Sequence, residues 1–361
     1  MEEFLKRSLR GKLTLDDALY LYKNFNAIDL LYLAFKVKLN YNNSKQKEIK
    51  LCSIINAKSG RCKENCIFCS QSIYNNCKIP IYPLKSKTEI LEYAKKLVEE
   101  CCKLSSSITY ETLIGSESSN FKKIKCFNMR SPLQIERFSI VSSGKSVNDD
   151  EFMEILEAIH LIKEETNLKV CCSLGLLDEE KLYDLKKLDV RVHNNLETSK
   201  DFFKNICSTH GYEDKVDLIK KCKKLGLEVC SGGIFGLGES IEDRLSMAFD
   251  LKCLGVDSVP INLLHPIEGT KIYQKIKNRE IKQITVSEAL KSIALFKLIL
   301  PNAEIRLAGG RMLNLGDFQS YALLAVDGLM VGNYLTTKGR SLKDDLKMIF
   351  DYIDLLKDFN R

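Results

Sequence analysis

Three thiols, Cys62, Cys66 and Cys69, fall in one short run, Arg61-Cys62-Lys63-Glu64-Asn65-Cys66-Ile67-Phe68-Cys69-Ser70. Their gaps of three and two residues make a C-x3-C-x2-C pattern. A structural zinc ion takes four protein ligands, usually from two separated pairs, to close its tetrahedron. A single local triplet supplies three thiolates and leaves one metal position open. Open metal positions are where substrates bind. Three thiolates suit a [4Fe-4S] cluster whose fourth iron is free to chelate a small molecule. The competing readings are a zinc clip and a chance grouping, since 14 of the 361 residues are cysteine and short motifs carry false positives.

Other polar groupings are weaker. Ser142-Ser143-Gly144 offers backbone groups to a small ligand, although a plain turn is the usual reading. Gly232-Gly233-Ile234-Phe235-Gly236-Leu237-Gly238-Glu239 first suggests a phosphate cradle. The G-x-G-x-x-G spacing and a Walker lysine are both missing from it. In His193-Asn194-Asn195-Leu196-Glu197-Thr198, Asn195 and Glu197 could address a ribose or a urea-like group through paired donors and acceptors. A capped turn is the bland alternative there. His193 reads as a hydrogen-bonding residue rather than a ligand, and neither His160 nor His210 has ligand spacing to a partner.

These residues must be positioned by the elements around them. Residues 2–40 read as two or three helices, with Thr14-Leu15-Asp16-Asp17 as an N-cap signal. After a polar break at Asn40–Lys47, short apolar runs alternate with amphipathic helices. Strands are expected near Leu51–Asn56, Phe138–Ser142, Val170–Leu174, Val190–His193, Glu228–Ser231, Ser258–Leu263, Glu304–Leu307 and Gly328–Val331. Helices are expected near 86–103, 149–165, 178–188, 213–225, 240–254, 287–299 and 316–325. Eight strands alternating with helices predict a (β/α)8 TIM-type barrel with an N-terminal helical extension. A doubly wound open sheet is the second choice. The expected division is a helical extension over 1–45, a barrel over 46–345 and a closing helix over 346–361. Residues 101–136 are polar and lengthen the first crossover, as a surface insertion would, and Cys126 within them is a potentially reactive thiol. Cys62, Ser142–Gly144, Cys171, Asn195, Cys230, Asn262 and Arg306 are all expected at or just after strand C-termini, the face where barrel active sites form.

The 45% hydrophobic content is that of a globular protein with a full core. The charge of +7 arises from 55 basic and 48 acidic residues scattered through helical patterns. A solvated surface accounts for it better than nucleic-acid binding. No apolar run approaches the ~20 residues of a membrane span. The acidic start Met1-Glu2-Glu3, with no apolar stretch behind it, is unlike a signal peptide. Pairs such as Cys101-Cys102 and Cys171-Cys172 do not look like a disulfide framework, so a cytoplasmic, metal-binding or catalytic protein is expected.

The triplet, with the aromatic Phe68 before its third cysteine, resembles the signature of radical S-adenosylmethionine (SAM) enzymes. Gly232-x-Ile234-x-Gly236-x-x-Glu239 is similar to the motif that packs near the SAM adenine in that superfamily, and Ser142, Ser143 and Gly144 match the segment that addresses the SAM amino group. Further phrases, among them Ile55–Gly60, His193–Ser199, Asn205–His210, Cys230–Ile234, Val259–Asn262, Ile305–Arg311 and Val331–Thr337, closely resemble the biotin synthase family. The likeness runs from about Leu51 to Gly339, outside 101–136.

The resemblance implies a sulfurtransferase that inserts sulfur into dethiobiotin. Cys62, Cys66 and Cys69 would hold a [4Fe-4S] cluster that binds SAM and cleaves it to a 5′-deoxyadenosyl radical, and an auxiliary iron–sulfur cluster would supply sulfur. The family's [2Fe-2S] ligands match Cys171, Cys230 and Arg306, with Ser139 where the familiar form has cysteine. A serine oxygen is a harder, poorer ligand for iron than a thiolate. That departure is similar to a second form of the family from anaerobes, which carries a different auxiliary cluster. Cys172 would substitute only from the opposite strand face. Asn195 matches a residue near the SAM ribose and substrate, Glu197 stands for a commoner Asp, and Asn262 matches a substrate-contacting Asn. Lys215 replaces Arg and keeps the charge without the bidentate fork, and Gly211 replaces Thr. A flavodoxin- or ferredoxin-type electron donor and a homodimer are implied by likeness alone. Rival readings are a methylornithine-synthase-like or hydrogenase-maturase-like radical SAM enzyme, and a non-catalytic iron–sulfur or zinc protein.

Overall fold

The first strand shows how this sequence builds its architecture. In Lys50–Lys58 the residues Leu51, Ser53, Ile55 and Ala57 are buried, while the alternate set is half-buried. Period-two alternation puts these sets on opposite faces. The fully buried face packs under helices, and the half-buried face, with Cys52 and Ile54, looks into an internal cavity. The computed structural model describes residues 1–41, 49–113 and 133–356. Most of the polar break at 40–47, the Gly115–Asn120 run, Cys126 and residues 357–361 lie outside them.

The strands are β1 (Lys50–Lys58), β2 (Ile135–Ser142), β3 (Lys169–Ser173), β4 (Arg191–His193), β5 (Val229–Cys230), β6 (Gly233–Phe235), β7 (Ser258–Leu263), β8 (Glu304–Leu307) and β9 (Gly328–Met330). All pairings are parallel, and they run in sequence from β5 through β4, β3, β2, β1, β9 and β8 to β7 and β6. The further pairing of Cys230 with Ser258 joins β5 to β7 and closes the ring. β5 and β6 are two halves of one barrel strand, interrupted at Ser231-Gly232. The result is an eight-stranded (β/α)8 barrel. Closure excludes the open doubly wound sheet.

All eight expected strand positions are occupied. The helix expected over 86–103 continues to Leu113. The serines at 105–107 disguise that helix as a loop, yet Cys101, Ser105 and Ile108 keep a buried stripe at helical spacing. Ser105 Oγ donates to Leu133 O at 2.9 Å, and Ser106 and Ser107 bond back to carbonyls within the helix. The helix expected over 316–325 is instead broken, running as Arg311–Leu315, a 3-10 turn at Gly316–Phe318, and Gln319–Ala322. Short helices Lys200–Phe203 and Lys271–Lys277 were not expected; each is capped by a hydroxyl, of Ser199 and Thr270.

The N-terminal helices Glu2–Leu9, Leu15–Asn24 and Ala27–Tyr41 pack on the helix Val286–Ile299. Thr14 forms a capping box with Asp17, as its spacing predicts. Lys38 is wholly buried and donates to Leu323 O, Val326 O and the Tyr352 hydroxyl at 3.0, 2.7 and 3.2 Å. Burial pulls its pKa down to about 8.

A second buried cation, Arg311, pairs with Asp345 of the C-terminal helix Leu342–Leu355 and with Gln319. Both members of the ion pair are fully buried. Asp345→Asn should therefore strand the guanidinium and cost about 3–5 kcal/mol, measured by urea unfolding. An apolar replacement of both partners should recover most of that loss, because the price of an unpaired buried charge disappears.

Candidate active site

The triplet lies on the loop that follows β1, and the backbone around it is tied tightly. Cys62 N donates to Gln71 O at 3.0 Å, and Ile73 N donates to Cys62 O at 2.9 Å. Asn75 Nδ2 donates to the carbonyls of Cys66 and Cys69 at 3.0 and 2.8 Å. A single amide thus fixes the orientation of two cysteines. Ser143 Oγ reaches Gly60 O at 2.8 Å, so the turn after β2 supports the start of this loop. Ser142 is buried with it, and Gly144 adopts a φ of +118° that favours glycine. Phe68 packs against the apolar core.

Around one tetrahedral zinc, thiolates sit about 3.8 Å apart, given Zn–S bonds of ~2.3 Å. Cys62, Cys66 and Cys69 do not form such a set. Among the described residues, the group whose ligand atoms all fall within 4.8 Å of one another is Cys66, Cys207 and His210. At least one pair of the three sulfurs is therefore more than 4.8 Å apart, wider than one tetrahedral zinc takes.

Beneath this loop the barrel encloses a cavity of about 340 Å³, of a size that takes a small molecule. Ser70 Oγ lies 2.8 Å from Thr336 Oγ1, and Thr336 lines the cavity. The Glu197 carboxylate, also on the wall, raises the pKa of Cys66 and of Cys69 through its charge, behind larger local causes. Through Ser70 the triplet loop thus lies beside the cavity, while Cys62, Cys66 and Cys69 are not among its lining residues.

Asn195, Glu197, Asn262, Ser139, Cys171, Cys230 and Arg306 all line it. Two of these were expected at strand ends but stand lower. Cys171 lies within β3, beside Ser139 of β2 and Arg191 of β4 in register, and Arg306 lies within β8 opposite Pro260. Their side chains point into the lumen from the wall itself, as alternate barrel residues must. Cys172 is buried in the apolar layer behind the wall, as strand alternation requires.

The sequence reading missed Cys52. It faces the same cavity from β1 and lies close enough to Arg306 and Cys230 to feel both charges. Arg137 and Arg191 join Arg306 there. Glu228 accepts from Arg137 and Arg191 at 3.2 and 2.9 Å. Glu304 accepts from Arg191 and Arg306 at 3.2 and 2.9 Å and also pairs with Lys50. Burial opposes the Glu304 charge, but Arg306, Lys50 and Arg191 together hold its carboxyl well below the usual range. Burial likewise opposes the Arg306 charge, and the neighbouring Cys52, Glu304 and Cys230 more than compensate. Burial pushes the Cys171 thiol up to about 12, and the Cys230 thiol also rises. Nε and Nη1 of Arg306 and Nε of Arg137 are buried without a hydrogen bond. Orphaned cationic donors beside three thiols make this floor a receptor for an anion.

The upper wall is held by backbone exchange. Gly232 N donates to Asn195 Oδ1 at 3.0 Å, and Glu197 N and O pair with Gly232 O and Ile234 N at 3.1 and 2.9 Å. A Cβ at Gly232 would sit 2.0 Å from Pro260 O, so only glycine lets the strands approach this closely. Glu197 takes a φ of +71°, uncommon for a side-chain-bearing residue. Its carboxyl accepts from Asn195 Nδ2 at 3.3 Å, and burial raises its pKa against the pull of Lys215 and His193. His193 also lines the cavity, and burial lowers its pKa to about 4, so it is neutral near pH 7. The Asn262 amide donates to Gly233 O and accepts from Gly309 N.

Some expected site residues stand outside the cavity lining. Glu239 is buried and accepts from Gly236 N at 2.8 Å and from Arg244, so it shapes the turn that carries Ile234. Gly236 has a φ of +98° in that turn. Lys215, on the helix Tyr212–Lys224, acts on the wall through its field. His210, read as having no partner, is corrected by the structure: its Nδ1 lies 3.3 Å from Cys207 Sγ and contacts Glu64. The C-x2-H spacing of Cys207 and His210 was the available signal.

Known proteins resemble this chain in sequence and in fold. Residues 57–251 match the family model described as Radical SAM superfamily, and residues 260–352 match Biotin and Thiamin Synthesis associated domain. The chain is 72% identical to biotin synthase of Methanocaldococcus jannaschii, over 98% of this chain and 99% of that one. It is 54% identical to biotin synthase of Methanococcus aeolicus, over 96% and 95% of the two chains. Among solved structures, methylornithine synthase matches with a TM-score of 0.71 at 17% identity, covering 98% of this chain and 96% of that one. The FeFe-hydrogenase maturase HydG from Carboxydothermus hydrogenoformans matches with a TM-score of 0.72 at 17% identity, covering 97% and 77%. Those two likenesses speak to the fold, whereas the sequence relatives speak to descent, and by them the chain belongs to the biotin synthase family of the radical SAM superfamily.

Proposed function

We propose that this protein converts dethiobiotin to biotin by inserting sulfur, with Cys62, Cys66 and Cys69 holding a [4Fe-4S] cluster. The observation that carries the reading is a second set of thiols, Cys52, Cys171 and Cys230, facing the cavity that the triplet loop borders. A methylornithine-type reaction has no use for a second sulfur-bearing site.

When bound, the [4Fe-4S] cluster with SAM supplies reductive cleavage and hydrogen abstraction, and the auxiliary cluster supplies sulfur. The donor sets fit these groups. The triplet offers three half-buried thiols spread too widely for one ion. Lower in the barrel, Cys52, Cys171, Cys230 and Arg306 would hold the auxiliary cluster, with the orphaned Arg306 and Arg137 donors facing its negative charge. Cys52 restores the third thiol that Ser139 removes, and Ser139 stays beside Cys171 in register. We take the auxiliary cluster to be of the type found with this serine, rather than the familiar [2Fe-2S].

The chain's own work is positioning. Asn195 and Glu197 present a donor and an acceptor to the ribose or to the substrate's urea-like ring. Asn262 keeps its amide engaged with Gly233 and Gly309, so its contribution is to hold two wall segments at a fixed distance. Ile54, Val141, Pro260 and Ala308 supply apolar wall that excludes water from the reacting carbon. Phe68, Ser142, Ser143, Gly144, Lys215, Ile234, Gly236 and Glu239 support the SAM-binding region from behind these surfaces. A flavodoxin- or ferredoxin-type donor and a homodimer are inferred from family membership. Among the described residues no helix is long and apolar enough to cross a membrane.

The test is anaerobic turnover of reconstituted protein with SAM, a low-potential reductant and dethiobiotin. Biotin is expected, with 5′-deoxyadenosine in excess of it. Dethiobiotin-independent 5′-deoxyadenosine and no biotin would transfer the chain to another reaction of the superfamily.

A further inference from the structure

Outside the cavity, one cluster of metal-ligating side chains shares only Cys66 with the reading above. Cys207 Sγ lies 3.6 Å from Cys66 Sγ and 3.3 Å from His210 Nδ1. Glu64 Oε2 contacts His210 Nδ1 and accepts from Thr209 Oγ1 at 2.6 Å. Backbone and side-chain bonds lock the two segments together. Ile67 N donates to Ile206 O at 2.9 Å, Asn65 N to Thr209 Oγ1 at 3.0 Å, and Ser208 N to Asn65 Oδ1 at 2.9 Å.

We propose that Cys66, Cys207 and His210, with the fourth position left to water, form a site for one divalent transition metal of zinc-like preference in protein that lacks its [4Fe-4S] cluster. The two sulfurs stand at the separation a tetrahedral ion imposes, about 3.8 Å, and all three ligand atoms lie within 4.8 Å of one another. Two thiols and an imidazole, with one open position, form a donor set suited to zinc or cobalt(II). Binding replaces the two thiol protons, which leave to solvent. Cys66 belongs to both sites, so the single ion and the cluster exclude each other. Cys207 cannot act as a fourth cluster ligand in this position. Irons at separate corners need sulfurs farther apart than the Cys66–Cys207 contact. The site is independent of the sulfur-insertion reading, because it needs neither the lower cavity nor dethiobiotin.

The experiment titrates full-length protein, stripped of iron anaerobically, with cobalt(II) alone and follows visible absorption. One equivalent should give tetrahedral d–d bands and a thiolate-to-cobalt charge-transfer band of two-thiolate intensity. Cys207→Ala and His210→Ala should each weaken binding at least about 100-fold, as loss of a ligand exceeds the 10–100-fold cost of outer-shell changes. The Cys62→Ala/Cys69→Ala double variant should bind cobalt as the parent does. Reconstitution of Cys207→Ala and His210→Ala with iron and sulfide should still yield the [4Fe-4S] absorption and iron content, showing that both fold. Cobalt lost in the Cys62→Ala/Cys69→Ala variant would place the ion on the triplet, and three-thiolate intensity retained in Cys207→Ala and His210→Ala would place it on another thiol set; either result would overturn the proposal. Absence of cobalt binding in the parent would overturn it as well.

Discussion

Replacing Cys62, Cys66 and Cys69 together by alanine is expected to abolish 5′-deoxyadenosine formation while leaving iron in the protein. The first effect follows from removing the three thiols proposed to hold the SAM-cleaving cluster. The second follows from the separate positions of Cys52, Cys171 and Cys230 on β1, β3 and β5, where the altered loop supplies no ligand. Iron and sulfide analysis with Mössbauer spectroscopy on anaerobic protein checks both. A spectrum of residual cluster identifies the auxiliary type. Protein free of iron would mean that one cluster site exists and would remove the sulfur-insertion reading.

Cys52→Ala should be the most damaging change to the lower site, and Ser139→Ala should be mild. Cys52 faces Arg306 and Cys230 across the cavity, whereas Ser139 offers a hard oxygen beside Cys171 in register. The expectation for Cys52→Ala is loss of the auxiliary iron and at least a 100-fold fall in biotin formation, with SAM cleavage retained. Ser139→Ala should keep its iron. The reverse ranking would show that serine, not Cys52, completes the set. Because both residues line the buried cavity, melting of the iron-free variants is the control for folding.

The strand series was legible because each barrel strand is a short apolar run between amphipathic helices, and the ring then follows from parallel pairing and short connections. The triplet was legible because its ligands are adjacent in sequence. Cys52 was not, since it sits among Leu51 and Ser53 like any strand residue. Only the register of β1 against β2 and β9 turns it toward Arg306. Cys207 and His210 escaped for a related reason: their partner, Cys66, lies 141 residues away from Cys207 in the chain. Asn75 was equally silent, because a lone asparagine after a cysteine loop reads as a turn until its amide is seen on two carbonyls. The extended helix to Leu113 was hidden by serine, whose preference for caps and turns misleads when its hydroxyl bonds back along the helix.

The ties of the triplet loop also set an order of events. Its hydrogen bonds run to Ile206 and Thr209 on one side, and to Gly269, Lys271 and Ile272 on the other, across separations of 144 residues for Asn65 with Thr209 and 196 for Asn75 with Lys271. Contacts between such remote segments form only after the intervening chain has been ordered, because their loop-closure entropy is met last. A ribosome that has released the first hundred residues has delivered all three cysteines but little of the scaffolding that aims them. Iron loading is thereby postponed to a nearly finished barrel, and the thiols spend synthesis as an unassembled, oxidisable stretch of chain.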